Sequence, residues 1–81
     1  MPLRKHENPP VEILVTGGYA IPLSFIGYVK CFKKKRPDQK EADLTVEIWG
    51  KAGYQPIVSR YGNAVKVNEL LVDLGLWWED N

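Results

Sequence analysis

Residues 44–49, Leu-Thr-Val-Glu-Ile-Trp, alternate without a break: Leu44, Val46 and Ile48 to one side, Thr45, Glu47 and Trp49 to the other. A period of two in β-branched and aromatic residues puts the apolar set on one face only in an extended strand. Such a strand, buried on one side and open on the other, belongs to an antiparallel sheet. The chain must therefore supply a cover for the Leu44 side from its own 81 residues. A chain of this length hides only roughly 60% of its unfolded surface, so the cover has to be small.

The flanking segments predict its partners. Residues 11–16 read as a strand, with Val11, Ile13 and Val15 on one side and Glu12 and Thr16 on the other. Gly17-Gly18 then breaks it, and Pro22 keeps the next residues out of a central ladder, so 17–24 reads as turn or loop. Residues 25–34 form a further strand, in which Gly27 marks a bulge. Its faces, Phe25, Gly27, Val29 and Cys31 against Ile26, Tyr28, Lys30 and Phe32, both carry bulk, as in a strand buried twice or one that meets a ligand. The polar run 33–43, with Pro37-Asp38, reads as a mobile basic connection between antiparallel strands. Gly50 and Gly53 turn the chain into a strand over 57–61, and after a turn at Tyr61-Gly62-Asn63 a last short strand falls over 64–67.

The cover is expected from residues 69–74, a short helix with Asn68 as N-cap, Glu69 at the positive end of its dipole, and Leu70, Leu71 and Leu74 facing the sheet. Gly75 can take the left-handed conformation after the helix, with Leu76 closing back on Leu71. Of the adjacent Trp77 and Trp78, one should enter the core and the other face solvent or a partner. The resulting organisation is a flexible N-terminal arm, 1–10, and one small β-rich domain, 11–81. The fold class is α+β: a small antiparallel sheet or partly closed OB- or SH3-like barrel with one short C-terminal helix. Leu14, Phe25, Val29, Leu44, Val46, Ile48, Val58, Leu70, Leu71 and Leu74 should furnish much of its core.

Composition narrows the function. At 44% hydrophobic and 26% charged residues the chain is too apolar for a disordered segment. It has neither an apolar run long enough to span a bilayer nor a leader resembling a signal peptide, which predicts a soluble protein of the cytoplasm or nucleus. The net charge of +1 hides an asymmetry. Residues 27–40 carry Lys30, Lys33, Lys34, Lys35, Arg36 and Lys40 against Asp38 alone, and 67–81 carry Glu69, Asp73, Glu79 and Asp80 with no base. Charge so divided steers an anionic partner to one end or stacks protomers head to tail.

No residue pattern points to an enzyme. The lone histidine, His6, sits in the polar leader, and the lone cysteine, Cys31, reads as a packed thiol without a base nearby. Asp43 and Glu47 share a strand face but read as solvated acids, and no metal or cofactor motif is present. What remains is a surface for partners. Trp49, Tyr54 and Tyr61 are expected to cluster, rimmed by Lys51 and Arg60. With Tyr28, Phe32 and the basic run Lys30, Lys33, Lys34, Lys35, Arg36 and Lys40, the same surface has rings for bases and cations for phosphates or another anionic partner.

Residues 67–76, Val-Asn-Glu-Leu-Leu-Val-Asp-Leu-Gly-Leu, preceded by the strand at 44–49, resemble the closing strand and helix of staphylococcal-nuclease-like OB domains, which accompany Tudor domains. Tyr61-Gly62-Asn63 resembles the end of a Tudor Asp-Tyr-Gly-Asn turn, with Arg60 where the acid would stand. The nuclease's acidic and arginine set has no counterpart here, so the resemblance implies a small β-barrel and a binding module. The expected function is a non-catalytic module holding a protein or peptide on an aromatic and basic strand surface. The alternatives are a barrel for single-stranded nucleic acid and a small oligomeric structural or regulatory protein, such as a virus-encoded adaptor.

Overall fold

A computed structural model describes residues 2–79. In chain order the elements are β1 (Leu3–Lys5), β2 (Ile13–Thr16), β3 (Tyr19–Pro22), a single 3-10 turn (Leu23–Phe25), β4 (Ile26–Lys34), β5 (Asp43–Gly50), β6 (Val58–Gly62), α1 (Ala64–Asp73) and β7 (Leu76–Trp78). All pairings are antiparallel: β4-β5-β6 form the main sheet, β2-β3 a hairpin and β1-β7 a two-stranded ribbon. The protein is a small α+β fold, and its sheets do not close into a barrel.

The alternation in β5 organises the core as expected. Leu44, Val46 and Ile48 are buried and meet Val58 of β6, Leu14 and Ile21 of the hairpin, Val67, Leu70 and Leu71 of α1, and Trp78 of β7. Trp78 is the inward indole, whereas Trp77 is exposed. Val29 and Leu74 are partly buried and pack on the edge of this cluster. Phe25, expected in the core, is 65% exposed: it ends the 3-10 turn before β4 begins and so takes no place in the strand's alternation.

Three segments differ from the sequence reading. Residues 17–24 are not all loop. Gly17 and Gly18, both at positive φ, make so tight a turn that Tyr19–Pro22 folds back on β2, and Pro22 is tolerated because β3 has no second neighbour. In β2 the buried residues are Leu14 and Thr16, while Val15 stays 72% exposed. Residues 64–67 are not a strand but the first turn of the helix. Asn63, not Asn68, is the N-cap: its Oδ1 accepts from Lys66 N at 3.0 Å. The spacing that decides this is present in Ala64, Val67, Leu71 and Leu74, separated by three and four residues, though β-branched Val65 and Val67 favour a strand locally. Asn68 instead lies buried mid-helix. Its Nδ2 donates to Trp78 O at 3.2 Å and its Oδ1 accepts from Trp78 N at 2.9 Å, so one amide joins α1 to β7.

The leader, finally, does not stand wholly apart from the core. Leu3 packs against it and pairs with Trp78, while His6 N and Glu7 N both donate to Gly75 O. Gly75 has φ +73, and the approach of the leader is so close that a Cβ there would collide with the Glu7 carbonyl. Asp80 of the acidic C-terminal run lies outside the described residues.

Candidate binding face

The main sheet has one covered side and one open side. Its register sets the open side in rows: Tyr28 beside Trp49, then Lys30, Glu47 and Ser59, then Phe32, Thr45 and Tyr61, then Lys34 and Asp43. The first row depends on the bulge at Gly27, which shifts the pairing between Ile26 and Tyr28. No side chain fits there, since a Cβ would stand 2.8 Å from the Lys51 Cα and 2.9 Å from the Gly50 carbonyl oxygen.

Tyr28 and Trp49 stack with ring centroids 5.5 Å apart and planes 10° from parallel. Lys30 reaches over both rings, its Nζ 5.2 Å from the Trp49 centroid and 5.8 Å from that of Tyr28. Glu47 fixes the indole from the other side, accepting from Trp49 Nε1 at 3.3 Å. At the far end the Arg36 guanidinium lies 3.5 Å above the Tyr61 ring. That contact is built by the 36–39 turn: Gln39 N donates to Arg36 O, Arg36 N donates to Gln39 Oε1, and Gln39 Nε2 donates to Asp43 Oδ2 at 2.7 Å. The basic connection thus folds down on the sheet. At the Arg36 and Tyr61 end lies a recess of about 390 Å³ bordered by Phe32, Lys34, Arg36, Asp43, Thr45 and Tyr61.

Of the expected cluster, Trp49 and Tyr61 share this face, but the Glu47 and Ser59 row separates them and Trp49 pairs with Tyr28 instead. Tyr54 is fully exposed and Lys51 is exposed, both in the 51–57 connection. Arg60 stands opposite Val46 in the register and so belongs to the covered side, where its guanidinium approaches Gly17. Of the basic run, Lys30, Lys34 and Arg36 are on the open face and Lys35 borders the same recess. Lys33 is opposite Leu44 on the other side of the sheet, and Lys40 is exposed in the connection. The Tyr28 and Trp49 pair escapes a reading of strand faces alone, because the bulge sets the register that brings the two rings together.

Cys31 sits opposite Val46, half-buried, and burial pushes its thiol up to about 11. It is therefore a neutral packed thiol at physiological pH. His6 lies against Trp77, centroids 5.9 Å apart. Among the described residues, no three His, Cys, Asp or Glu side chains gather where they could hold a metal ion, and no helix is long and apolar enough to cross a membrane. No protein-family model, curated protein or solved structure matches the chain.

Proposed function

We propose that the protein is a non-catalytic interaction module whose open sheet face holds a protein partner. The observation that carries this reading is the composition of the face: stacked Tyr28 and Trp49 at one end, and Arg36 on Tyr61 beside a recess at the other. Tyr, Trp and Arg are the residues in which interface binding energy concentrates, since they offer area and directed hydrogen bonds at low entropic cost. Charge on the face favours protein over phosphate backbone. Lys30 and Lys34 face Glu47 and Asp43 across the strands, so an anionic strand laid along the sheet would meet acids as well as bases. The resemblance of residues 67–76 to OB domains also implies a binding module.

The test uses immobilised wild-type protein and Trp49→Ala with extract from the source cell, one arm treated with nuclease. A protein retained by the wild type, insensitive to nuclease and lost with Trp49→Ala supports the proposal; retention unchanged by that substitution contradicts it. A second reading, binding of single-stranded nucleic acid, draws on one observation, the Tyr28 and Trp49 stack with Lys30 above it, because bases stack on such rings beside a cation. Salt-dependent quenching of tryptophan fluorescence by oligonucleotides, abolished by Tyr28→Ala, would establish that reading instead.

A further inference from the structure

A second opening lies at the edge of the main sheet. Among the described residues β4 pairs only with β5 and β1 only with β7, so each presents an open backbone edge. The two edges border the same groove of about 900 Å³, lined by Leu3 and Arg4 of β1, by residues 29–33 of β4, and by Trp78 and Glu79. Five consecutive residues of one strand line it, as happens where the strand's edge rather than one face forms the wall. At about 3.3 Å per residue that wall runs for roughly 16 Å.

We propose that this groove takes an extended acidic segment of another protein as an added strand between β4 and β1. An open edge is a row of unpaired N–H and C=O groups, and a strand inserted there is held by its own main chain. The occupant must be a single unpaired segment, because both of its edges are used; among the described residues every strand of a second copy of this chain already spends at least one edge within its own fold. Its character is set by the lining. Leu3, Val29, Cys31 and Trp78 offer an apolar side, while Arg4, Lys30 and Lys33 with the one acid, Glu79, give the lining a net positive charge, Arg4 and Glu79 pairing at 3.4 Å. Alternating apolar and acidic residues match both sides. Trp78 adds an independent sign: the residue is 7% exposed, and its Nε1 is buried with no hydrogen-bond partner among the described residues. An unsatisfied buried donor is costly, and carbonyls brought by an added strand are the acceptors such a site lacks.

The probe is a synthetic eight-residue peptide of alternating Glu and Val, titrated into isotope-labelled full-length protein and followed by amide chemical shifts and hydrogen exchange. The expected result is shifts and slowed exchange in residues 3–4 and 29–33 together, below about 1 mM peptide. Proline at every second position of the peptide removes main-chain donors and should weaken binding at least about tenfold, and Lys33→Glu should weaken it similarly. Tyr61→Ala, on the open face and away from the groove lining, should leave it unchanged, which separates this groove from that face. No protection at about 1 mM overturns the proposal, as does protection confined to the Tyr28 and Trp49 end. Protection of the same amides that rises with protein concentration in the absence of peptide would assign the groove to self-association and also overturn it.

Discussion

The two sides of β5 are made from one alternating sequence and serve different ends. On the inner side Leu44, Val46 and Ile48 are buried in a continuous apolar cluster with α1 and the hairpin. On the outer side Thr45 is itself buried and Glu47 and Trp49 are half-buried, beside the exposed Tyr28, Lys30 and Tyr61. The inner side could exchange Val for Ile and still fold, since a core asks chiefly for apolar volume. The outer side owes its arrangement to particular pairs, Tyr28 with Trp49 and Arg36 with Tyr61, whose loss leaves the fold standing. Stability and recognition are thus divided by residue parity along a single strand.

Substitution should divide them in the same way. The largest effect is expected inside: Ile48→Ala or Leu71→Ala, both fully buried, should each cost about 2–5 kcal/mol in urea unfolding. Domains in general have only about 5–15 kcal/mol to lose, so partial unfolding at 37 °C is expected. Next comes Asn68→Ala, which strands the buried N–H and C=O of Trp78 and should cost roughly 1–3 kcal/mol, with β7 amides exchanging fastest. An unchanged melting temperature would show that water replaces the amide. On the outer side Trp49→Ala should cost less than either core substitution, its stacking on Tyr28 being worth about 0.5–1.5 kcal/mol beyond the area it buries, while partner binding is lost. If stability and binding fall together there, the division between faces is wrong.

The smallest effects should come from the edges of the comparison. Replacing Lys33, Lys34, Lys35 and Arg36 by Ser should shift the melting temperature by a few degrees at most, since these residues bury little. Cys31 tests the inner side without altering the sequence. Its thiol is held up to about 11 by burial, so alkylation of the folded protein should keep rising well beyond pH 9, whereas the urea-unfolded chain should titrate near the ordinary thiol value. A folded-state midpoint at the ordinary value would place the thiol in solvent.

The sheet was legible in the sequence wherever a single period dominates. Residues 44–49, the bulge glycine at 27, the connection at 33–43 and the Gly75 helix stop are all dictated by local chemistry. Local chemistry misled where two signals compete: Val65 and Val67 favour a strand by side-chain shape, yet Val67 completes with Ala64, Leu71 and Leu74 a helical face that the core can use, and Val65 is left exposed. The β1 and β7 ribbon was hidden for another reason. Each strand is three residues long, too short to show a period, and each exists only because the other reaches it. The candidate face was half legible: the aromatic and basic residues could be named, but which of them meet depends on register, and a single-residue bulge decides that.

The pairing of Leu3 with Trp78 joins residues almost a full chain length apart. Closing so long a loop costs entropy before any contact repays it. The ribbon is therefore expected to zip late in folding and to open first afterwards, well before the main sheet does. Its exchange with solvent should run at sub-global cost, measurable as amides at 3–5 that are protected far less than those of β5, while Trp78 N stays held by Asn68. One wall of the edge groove would then be a hinged flap in time as well as in space, and the rate at which a segment enters would be set by the unzipping of six residues rather than by diffusion into a fixed slot.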